Sequence, residues 1–248
     1  MTDRAPDTCS SPYRVRFDEC TPDGLIRTSV LLRYTQDLAG YHSSIRGFGR
    51  DWYAERGINW LVRAAEVAVL APIPVGADLV GTTEVVGWRR VWARRRTEFV
   101  DTNAKLVAWV HIDWVLLDRR GAPTRIPPEF DAAFGAPPAR FGLARVDLGE
   151  VPDEAVHGHM RVRPQELDPM DHVNNAIYAD WLDEAVMAAD DPAAVRAVPR
   201  LARLEYASAA EPGASVASSV WRDSRGRWSC RISDAADMDL LRARLETG

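Results

Sequence analysis

Apolar residues recur at helical spacing in two places along the chain, once in each half. The first run is Val30, Leu31, Tyr34 and Leu38, and the second is Ile177, Trp181, Leu182 and Ala185. Residues at this spacing share one face of an α-helix, which predicts a long helix with a buried face in each half.

Segments with the pattern of β-strands follow both helices, because β-branched and aromatic residues are concentrated there between turn residues. After the first helix they are residues 60–66, 82–86, 94–100 and 105–117; after the second they are residues 201–206, 216–221, 227–232 and a short strand near Leu240. The pattern in each half therefore predicts one helix packed against antiparallel strands, which is an α+β fold.

The two halves also align with each other. Arg161-Val162-Arg163 lies 147 positions after Arg14-Val15-Arg16, and Glu166 lies the same distance after Glu19. Farther along, residues 74–78 and 211–215 each form a turn with a glycine, where a positive φ costs little. The chain is therefore predicted to contain the same unit twice.

A proline-rich stretch from Arg119 to Pro152 lies between the two copies. Proline can continue neither a helix nor a strand ladder, so this stretch is predicted to be an extended connection. We predict an N-terminal unit over residues 1–130, a linker over residues 131–155 and a C-terminal unit over residues 156–248.

Composition narrows the class of protein. A hydrophobic fraction of 46% and a net charge of −5 are typical of a globular protein and argue against a general nucleic-acid binder. The apolar runs are too short to span a membrane, and the start of the chain lacks the apolar core of a signal peptide. Three cysteines at unrelated spacings and no Cys/His cluster predict a cytoplasmic protein without disulfides, metal or cofactor.

Residues that could perform chemistry precede the second helix only: Asp168, His172, Asn174 and Asn175. Three of them align with residues of the first copy that lack those groups: Thr21 for Asp168, Leu25 for His172 and Thr28 for Asn175. A polar cluster present in one of two copies is better explained by a site than by the needs of the shared scaffold.

Each residue type suits acyl transfer. Asp168 could act as a general base toward water or attack a thioester itself, and His172 could orient the carboxylate or the water. Asn174 and Asn175 would lie at the start of the helix, where free N–H groups can hold an oxyanion. The alternative is that these residues only cap the helix, the role that Asp171 is expected to have.

The run from Leu167 to Tyr178 resembles the active-site segment of the fatty acyl-ACP thioesterases of plants and bacteria. More distantly, it is similar to the 4-hydroxybenzoyl-CoA thioesterase class of hotdog proteins. The resemblance implies two tandem hotdog folds, each a long helix wrapped by an antiparallel sheet, with the acyl chain in the first and one active site in the second. The family's catalytic Asp and His map onto Asp168 and His172, and its Asn-Asn pair onto Asn174 and Asn175.

The expected function is hydrolysis of an acyl thioester carried by acyl carrier protein or coenzyme A, in a monomer or homodimer without a nucleic-acid or membrane partner. Two departures leave alternatives open. Met170 stands where the resembled family has Asn, and Ala209 stands where it has a catalytic Glu; Glu211, on the same strand face as Ala209, could replace that Glu or be a solvated turn residue. The alternatives are a hotdog dehydratase or hydratase and a non-catalytic acyl-binding module.

One basic stretch, from Trp88 to Arg96, stands out in this acidic chain. It could contact an acidic carrier protein or the phosphates of the thioester carrier. Alternatively, Arg90, Arg94 and Arg96 line the solvent-exposed face of an antiparallel strand.

Overall fold

A computed structural model describes residues 7–135, 142 and 144–248, which form ten strands and five α-helices. The elements of the first half are β1 (Thr8–Arg14), α1 (Thr28–Ile45), α2 (Arg50–Arg56), β2 (Ile58–Val69), β3 (Asp78–Arg89), β4 (Trp92–Val100), β5 (Leu106–Asp118) and α3 (Glu129–Phe134). Those of the second half are β6 (Val156–Arg161), α4 (Ile177–Ala188), α5 (Pro192–Arg196), β7 (Arg200–Tyr206), β8 (Ser215–Arg222), β9 (Trp228–Ser233) and β10 (Asp239–Thr247).

The ten strands form one antiparallel sheet in the order β1-β3-β4-β5-β2-β7-β10-β9-β8-β6. The last five strands mirror the order of the first five, so the repeat in the sequence is also a repeat in space. In each half a long helix, α1 or α4, packs against the strands. This arrangement confirms the predicted α+β fold of two hotdog units, each a long helix wrapped by an antiparallel sheet.

The two units are joined edge to edge through β2 and β7. Glu66 lies directly opposite Arg203 in this pairing, and the two side chains form an ion pair at 2.8 Å. Because the sheet is continuous, buried residues of both halves belong to one hydrophobic core.

The apolar helix faces are buried as their spacing predicts. Val30, Leu31 and Leu38 are fully buried in α1, and Trp181 and Leu182 are buried in α4. Burying such side chains contributes about 1.5–3 kcal/mol each to folding, which fixes both helices against the sheet.

The last strand differs from its prediction. The sequence predicts a short strand near Leu240, whereas β10 has nine residues and lies between β7 and β9. Arg242 and Arg244 are charged residues of a kind that is uncommon in a central strand, so the sequence pattern predicts a strand that is too short. Arg242 pairs with Asp239 and Arg244 donates a hydrogen bond to the carbonyl of Asp147, so neighbouring groups satisfy these charges.

Two described residues of the connection between the units hydrogen-bond to acidic side chains of the sheet. The N–H of Ala144 donates to the carboxylate of Asp113 at 3.1 Å, and the N–H of Val146 donates to that of Glu205 at 2.9 Å. Residues 136–141 and 143 of the predicted linker, including Pro137 and Pro138, lie outside the described residues.

The predicted boundary at residue 130 falls inside α3. Phe130 and Phe134 of this helix stack on Phe48 of the first half, at ring-centroid distances of 4.3 and 5.6 Å. We therefore propose that the N-terminal unit extends to residue 134 and that the linker begins after it.

No helix in the described part of the chain is long and apolar enough to cross a membrane. Among the same residues, no group of three or more His, Cys, Asp or Glu side chains is arranged to hold a metal ion. Cys9, Cys20 and Cys230 are free and buried, as small core residues are.

Candidate active site

The segment before α4 folds into a tight loop. Leu167 and Val173 form an isolated β-bridge, the N–H of Asp168 donates to the carbonyl of His172 at 2.8 Å, and the N–H of Asp171 donates to the carbonyl of Asp168 at 2.9 Å. Asp171 has a φ of +61°, a conformation that Asp tolerates better than most residues.

The first copy contains the same loop with different side chains. The N–H of Thr21 donates to the carbonyl of Leu25 at 2.8 Å, and Gly24 has a φ of +74° at the position of Asp171. The backbone is therefore shared by both copies, whereas a carboxylate at the position of Asp168 and the imidazole of His172 belong to the second alone. Asp171 is not the helix cap that the sequence predicts, because it supplies the positive φ of this turn.

Asp168 is partly buried in this loop, and its carboxylate is held at one end. Its Oδ1 accepts a hydrogen bond from the N–H of Met170 at 2.8 Å. Its Oδ2 has no partner among the described residues. One oxygen therefore orients the carboxylate while the other is available to a ligand or water.

The two asparagines differ in their contacts. Asn174 Oδ1 accepts from the N–H of Ala176 at 2.9 Å, which satisfies one of the free donors that precede α4. Asn175 accepts a hydrogen bond on its carbonyl but, in the part of the chain that the structure describes, its backbone N–H has no acceptor. Asn174 thus orients the start of the helix, and Asn175 offers a donor.

The side chains of His172 and Glu211 are not hydrogen-bonded to the carboxylate of Asp168 among the described residues. Both side chains are exposed, and neither forms a hydrogen bond or an ion pair with Asp168 within the described ranges. The carbonyl of Glu211 accepts from the N–H of Ala214 in a turn. Ala209, which precedes that turn, is exposed as well. The side chains of His172 and Glu211 therefore face solvent, whereas Asp168 is partly buried.

Two buried tyrosines support the loop in the second half only. The hydroxyl of Tyr206 donates to the carbonyl of Asn175 at 3.0 Å, and the hydroxyl of Tyr178 accepts from the N–H of Ala210 at 2.9 Å. Burial raises the pKa of Tyr178 to about 12 and raises that of Tyr206 further, so both hydroxyls stay protonated. Neither tyrosine has a counterpart with a hydroxyl in the first half: Leu31 lies 147 positions before Tyr178, and Val69 precedes Gly76 by seven residues as Tyr206 precedes Gly213.

The same loop lies at the edge of a cavity that belongs mostly to the first half. Pro169, the residue after Asp168, lines this cavity of about 930 Å³. Met170 accepts a hydrogen bond on its Sδ from Nδ2 of Asn59, at 3.2 Å, and Asn59 also lines the cavity. The second half therefore brings its carboxylate loop to a cavity of the first half.

The cavity wall is mainly aromatic and apolar, which suits an alkyl chain. The aromatic lining residues include Phe48, Tyr53, Trp60, Trp88, Trp114 and Phe130. A stacked cluster of Phe48, Phe130 and Phe134 forms part of this wall. These rings keep the wall rigid, because each one packs against the next.

The model of the acyl-ACP thioesterase N-terminal domain matches residues 6–134, and that of the C-terminal domain matches residues 149–246. The chain belongs to the acyl-ACP thioesterase family. The protein is accordingly an acyl-thioester hydrolase, which favours the leading sequence interpretation over the dehydratase and the non-catalytic module.

Solved structures of acyl-ACP thioesterases share this fold. A structure described as an oleoyl thioesterase from Lactobacillus plantarum has a TM-score of 0.88 at 18% identity, and covers 97% of this chain and 96% of its own. The 12:0-ACP thioesterase from Umbellularia californica has a TM-score of 0.79 at 20% identity, with 96% of each chain covered. An acyl-ACP thioesterase from Bacteroides thetaiotaomicron has a TM-score of 0.81 at 14% identity, again with 96% of each chain covered. None of the curated protein sequences matches the chain.

Two polar residues of the cavity wall, Asn59 and Arg95, were not predicted as site residues from the sequence. Nothing in the sequence marks Asn59, because its contact with Met170 joins residues 111 positions apart. Arg95 could have been found by strand alternation, since it shares a buried face with Thr97 and Phe99 of β4. Arg94, interpreted as either solvated or a carrier contact, instead pairs with Asp113 at 2.5 Å beside the cavity.

Proposed function

We propose that this thioesterase hydrolyses the thioesters that link acyl chains to acyl carrier protein. In this proposal Asp168 is the catalytic carboxylate, and the cavity of the first half binds the acyl chain. The observation that carries the proposal is the position of Pro169 in the cavity wall, immediately after Asp168. A chain bound in the cavity would leave its thioester at this loop. Membership of the family favours a carrier-protein substrate, and coenzyme A thioesters are the second candidate carrier.

In the proposed reaction, the free oxygen of Asp168 accepts a proton from a water molecule, and the water oxygen attacks the thioester carbonyl. The tetrahedral oxyanion accepts hydrogen bonds from the N–H of Asn175 and from its side-chain amide. Collapse breaks the C–S bond and releases the acid and the thiolate. Direct attack by Asp168, through an anhydride, would use the same position.

His172 is exposed at the solvent side of the loop. We assign it to the leaving group: its ring N–H hydrogen-bonds to the departing sulfur of the pantetheine arm, which approaches from solvent. Asn174 acts as a positioning residue through the start of α4. A catalytic role of Glu211 stays a prediction, because the one hydrogen bond that Glu211 forms among the described residues is made by its backbone carbonyl in the turn.

The test is release of free thiol from acyl-ACP and acyl-CoA of several chain lengths. The substitution Asp168→Asn keeps the hydrogen bond from Met170 but removes the base, so we expect kcat to fall by about two orders of magnitude or more. The matched control is Asp171→Gly, which keeps the positive φ that Gly24 has in the first copy. Activity of Asp168→Asn equal to that of the control would refute the assignment.

The oligomeric state and the location are further proposals. Single hotdog units commonly pair, and the β2–β7 edge already joins two units within this chain, so we propose a monomer rather than a homodimer. The molar mass of the purified protein, measured by light scattering, would distinguish a monomer from a homodimer. A cytoplasmic location stays a prediction.

A further inference from the structure

A buried arginine lines the proposed acyl cavity. Arg95 of β4 is only 6% exposed, although most of the cavity wall is apolar. Its Nη1 contacts Nδ1 of His42 at 2.9 Å and donates to Oγ1 of Thr83 at 3.4 Å. No carboxylate forms an ion pair with Arg95 in the part of the chain that is described.

His42 separates Arg95 from the nearest acid. Because Arg95 can only donate, Nδ1 of His42 is the acceptor, and Nε2 carries the hydrogen that it donates to Asp7 at 3.1 Å. Burial and the neighbouring Arg95 lower the pKa of His42, which keeps this imidazole neutral. The carboxylate of Asp7 pairs with Arg46 as well. The network therefore orients Arg95 without bringing an anion to it.

The opposite edge of the guanidinium is free. Nε and Nη2 of Arg95 have no hydrogen-bond partner among residues 7–135, 142 and 144–248; the Phe134 ring, 5.9 Å from Cζ, offers only its face. Trp114, another lining residue, has a buried indole N–H that is equally without a partner. Nε and Nη2 are the side-by-side donor pair that matches a carboxylate, and burying a cation without an anion is costly.

Arg95 also lies far from the loop that carries Asp168. It is opposite Ile112 of β5, whereas Asn59, which contacts Met170, is opposite Leu117 of the same strand. Five residues of β-strand span about 17 Å, so a chain running from the loop into the cavity would meet Arg95 well away from its thioester.

The other charged residues of the wall do not share these features. Arg94 is paired with Asp113, while Arg50 and Asp37 are exposed at the cavity edge. Arg95 alone among these four is both buried and without an ion-pair partner in the described residues.

We propose that the preferred acyl chain carries an oxygen-bearing group remote from the thioester, best a terminal carboxylate, and that Arg95 binds it. This inference rests on the proposed function, because it assumes that the acyl chain occupies the cavity. It assigns Arg95 to substrate specificity and not to the chemical step.

The test compares coenzyme A thioesters that differ only in the chain end, which is methyl, ω-hydroxyl or ω-carboxylate. The comparison is made at each of two chain lengths. We expect a kcat/KM for the carboxylate form about tenfold or more above that for the methyl form, as a bidentate charge-assisted pair provides. Arg95→Met should lower kcat/KM for the carboxylate form about tenfold or more and so remove its advantage over the methyl form. Arg96→Met, on the opposite face of the same strand, should keep the wild-type ratio.

A second measurement uses the wild-type protein, in case Arg95→Met does not fold. Methyl dodecanoate and the monomethyl ester of dodecanedioic acid compete with a fluorescent fatty acid methyl ester for the cavity, and the ester that keeps a free carboxylate should compete better. Equal competition, or a wild-type enzyme that prefers methyl-ended chains, overturns the role of Arg95 while leaving the proposed function intact. Failure to hydrolyse any thioester would instead refute the proposed function, and the competition result would still decide whether Arg95 binds a carboxylate.

Discussion

Arg33 of α1 and Asp180 of α4 occupy equivalent positions in the two copies, 147 residues apart, and their side chains pair with each other at 2.9 Å. A residue that contacts its own counterpart lies on the axis that relates the two copies. Glu66 and Arg203, which face each other at the β2–β7 junction, also pair side chain to side chain. In both pairs the copies carry opposite charges, so duplication followed by divergence produced attraction where identical copies would repel.

Charge reversal tests this junction. Arg33→Asp or Asp180→Arg alone places like charges together and should lower the free energy of unfolding by about 1 kcal/mol or less, because both side chains are well exposed. The double substitution should recover most of that loss in urea titrations. A double variant no more stable than the singles would show that the pair contributes nothing.

Removal of the Tyr206 hydroxyl should impair catalysis. Tyr206→Phe leaves the carbonyl of Asn175 without its donor, which should cost about 1–3 kcal/mol of stability and loosen the backbone that offers the proposed oxyanion donor. We expect kcat to fall by about tenfold with KM little changed.

The matched control for that variant is in the first half. The hydroxyl of Tyr13, in the edge strand β1, lies 3.0 Å from Oδ2 of Asp37 and 3.2 Å from the carbonyl of Tyr34, so Tyr13→Phe removes a hydrogen bond to α1 in the other copy. It should lower stability and leave kcat unchanged. Equal losses of kcat in both variants would mean that stability alone explains the effect.

A large side chain at Gly40 should shorten the accepted acyl chain. Gly40 lines the cavity from α1, and a Cβ at this position would meet no atom within 4 Å. Gly40→Trp should therefore fit and fill part of the cavity, moving the preference in a chain-length panel toward shorter acyl groups. Gly40→Ala should add about 0.5–1 kcal/mol of stability and keep the original preference. An unchanged preference in Gly40→Trp would argue that the acyl chain binds elsewhere.

Acid should weaken the junction between the copies through Glu66. His111, whose Nδ1 lies 3.7 Å from Oε2 of Glu66, and the hydrogen-bonded Arg203 lower the pKa of Glu66 from 4.5 to about 2. A depressed acid pKa stabilises the fold above the unfolded value and loses that contribution as pH falls from about 4.5 to about 2. The contribution is on the order of 3 kcal/mol at most.

Urea unfolding of the wild type and of Glu66→Gln between pH 2 and pH 7 measures this effect. The variant should be less stable at pH 7 and should lose less stability on acidification. Arg203→Met, which keeps the carboxyl and removes one partner, should also flatten the profile. Identical profiles for all three proteins would exclude Glu66 as a source of acid sensitivity.

Local patterns were sufficient to predict the elements of the fold. The apolar spacing of Val30, Leu31 and Leu38 predicted a buried helix face, and the 147-residue offset predicted the repeat that the sheet order confirms. β10 was underestimated because the partners of Arg244, which are the carboxylate of Asp223 and the carbonyl of Asp147, lie elsewhere in the chain. A window of neighbouring residues contains no information about such partners.

The sequence by itself determined that Asp168 and His172 belong to one copy only, since this asymmetry needs nothing beyond an alignment of the chain with itself. Only the tertiary structure shows that Pro169 of the second copy lines a cavity of the first. It also shows that Arg95 faces this cavity without an ion-pair partner among the described residues. The reason is physical: side-chain periodicity is encoded within a few residues, whereas a cavity and the partners of a buried charge are set by segments that only folding brings together.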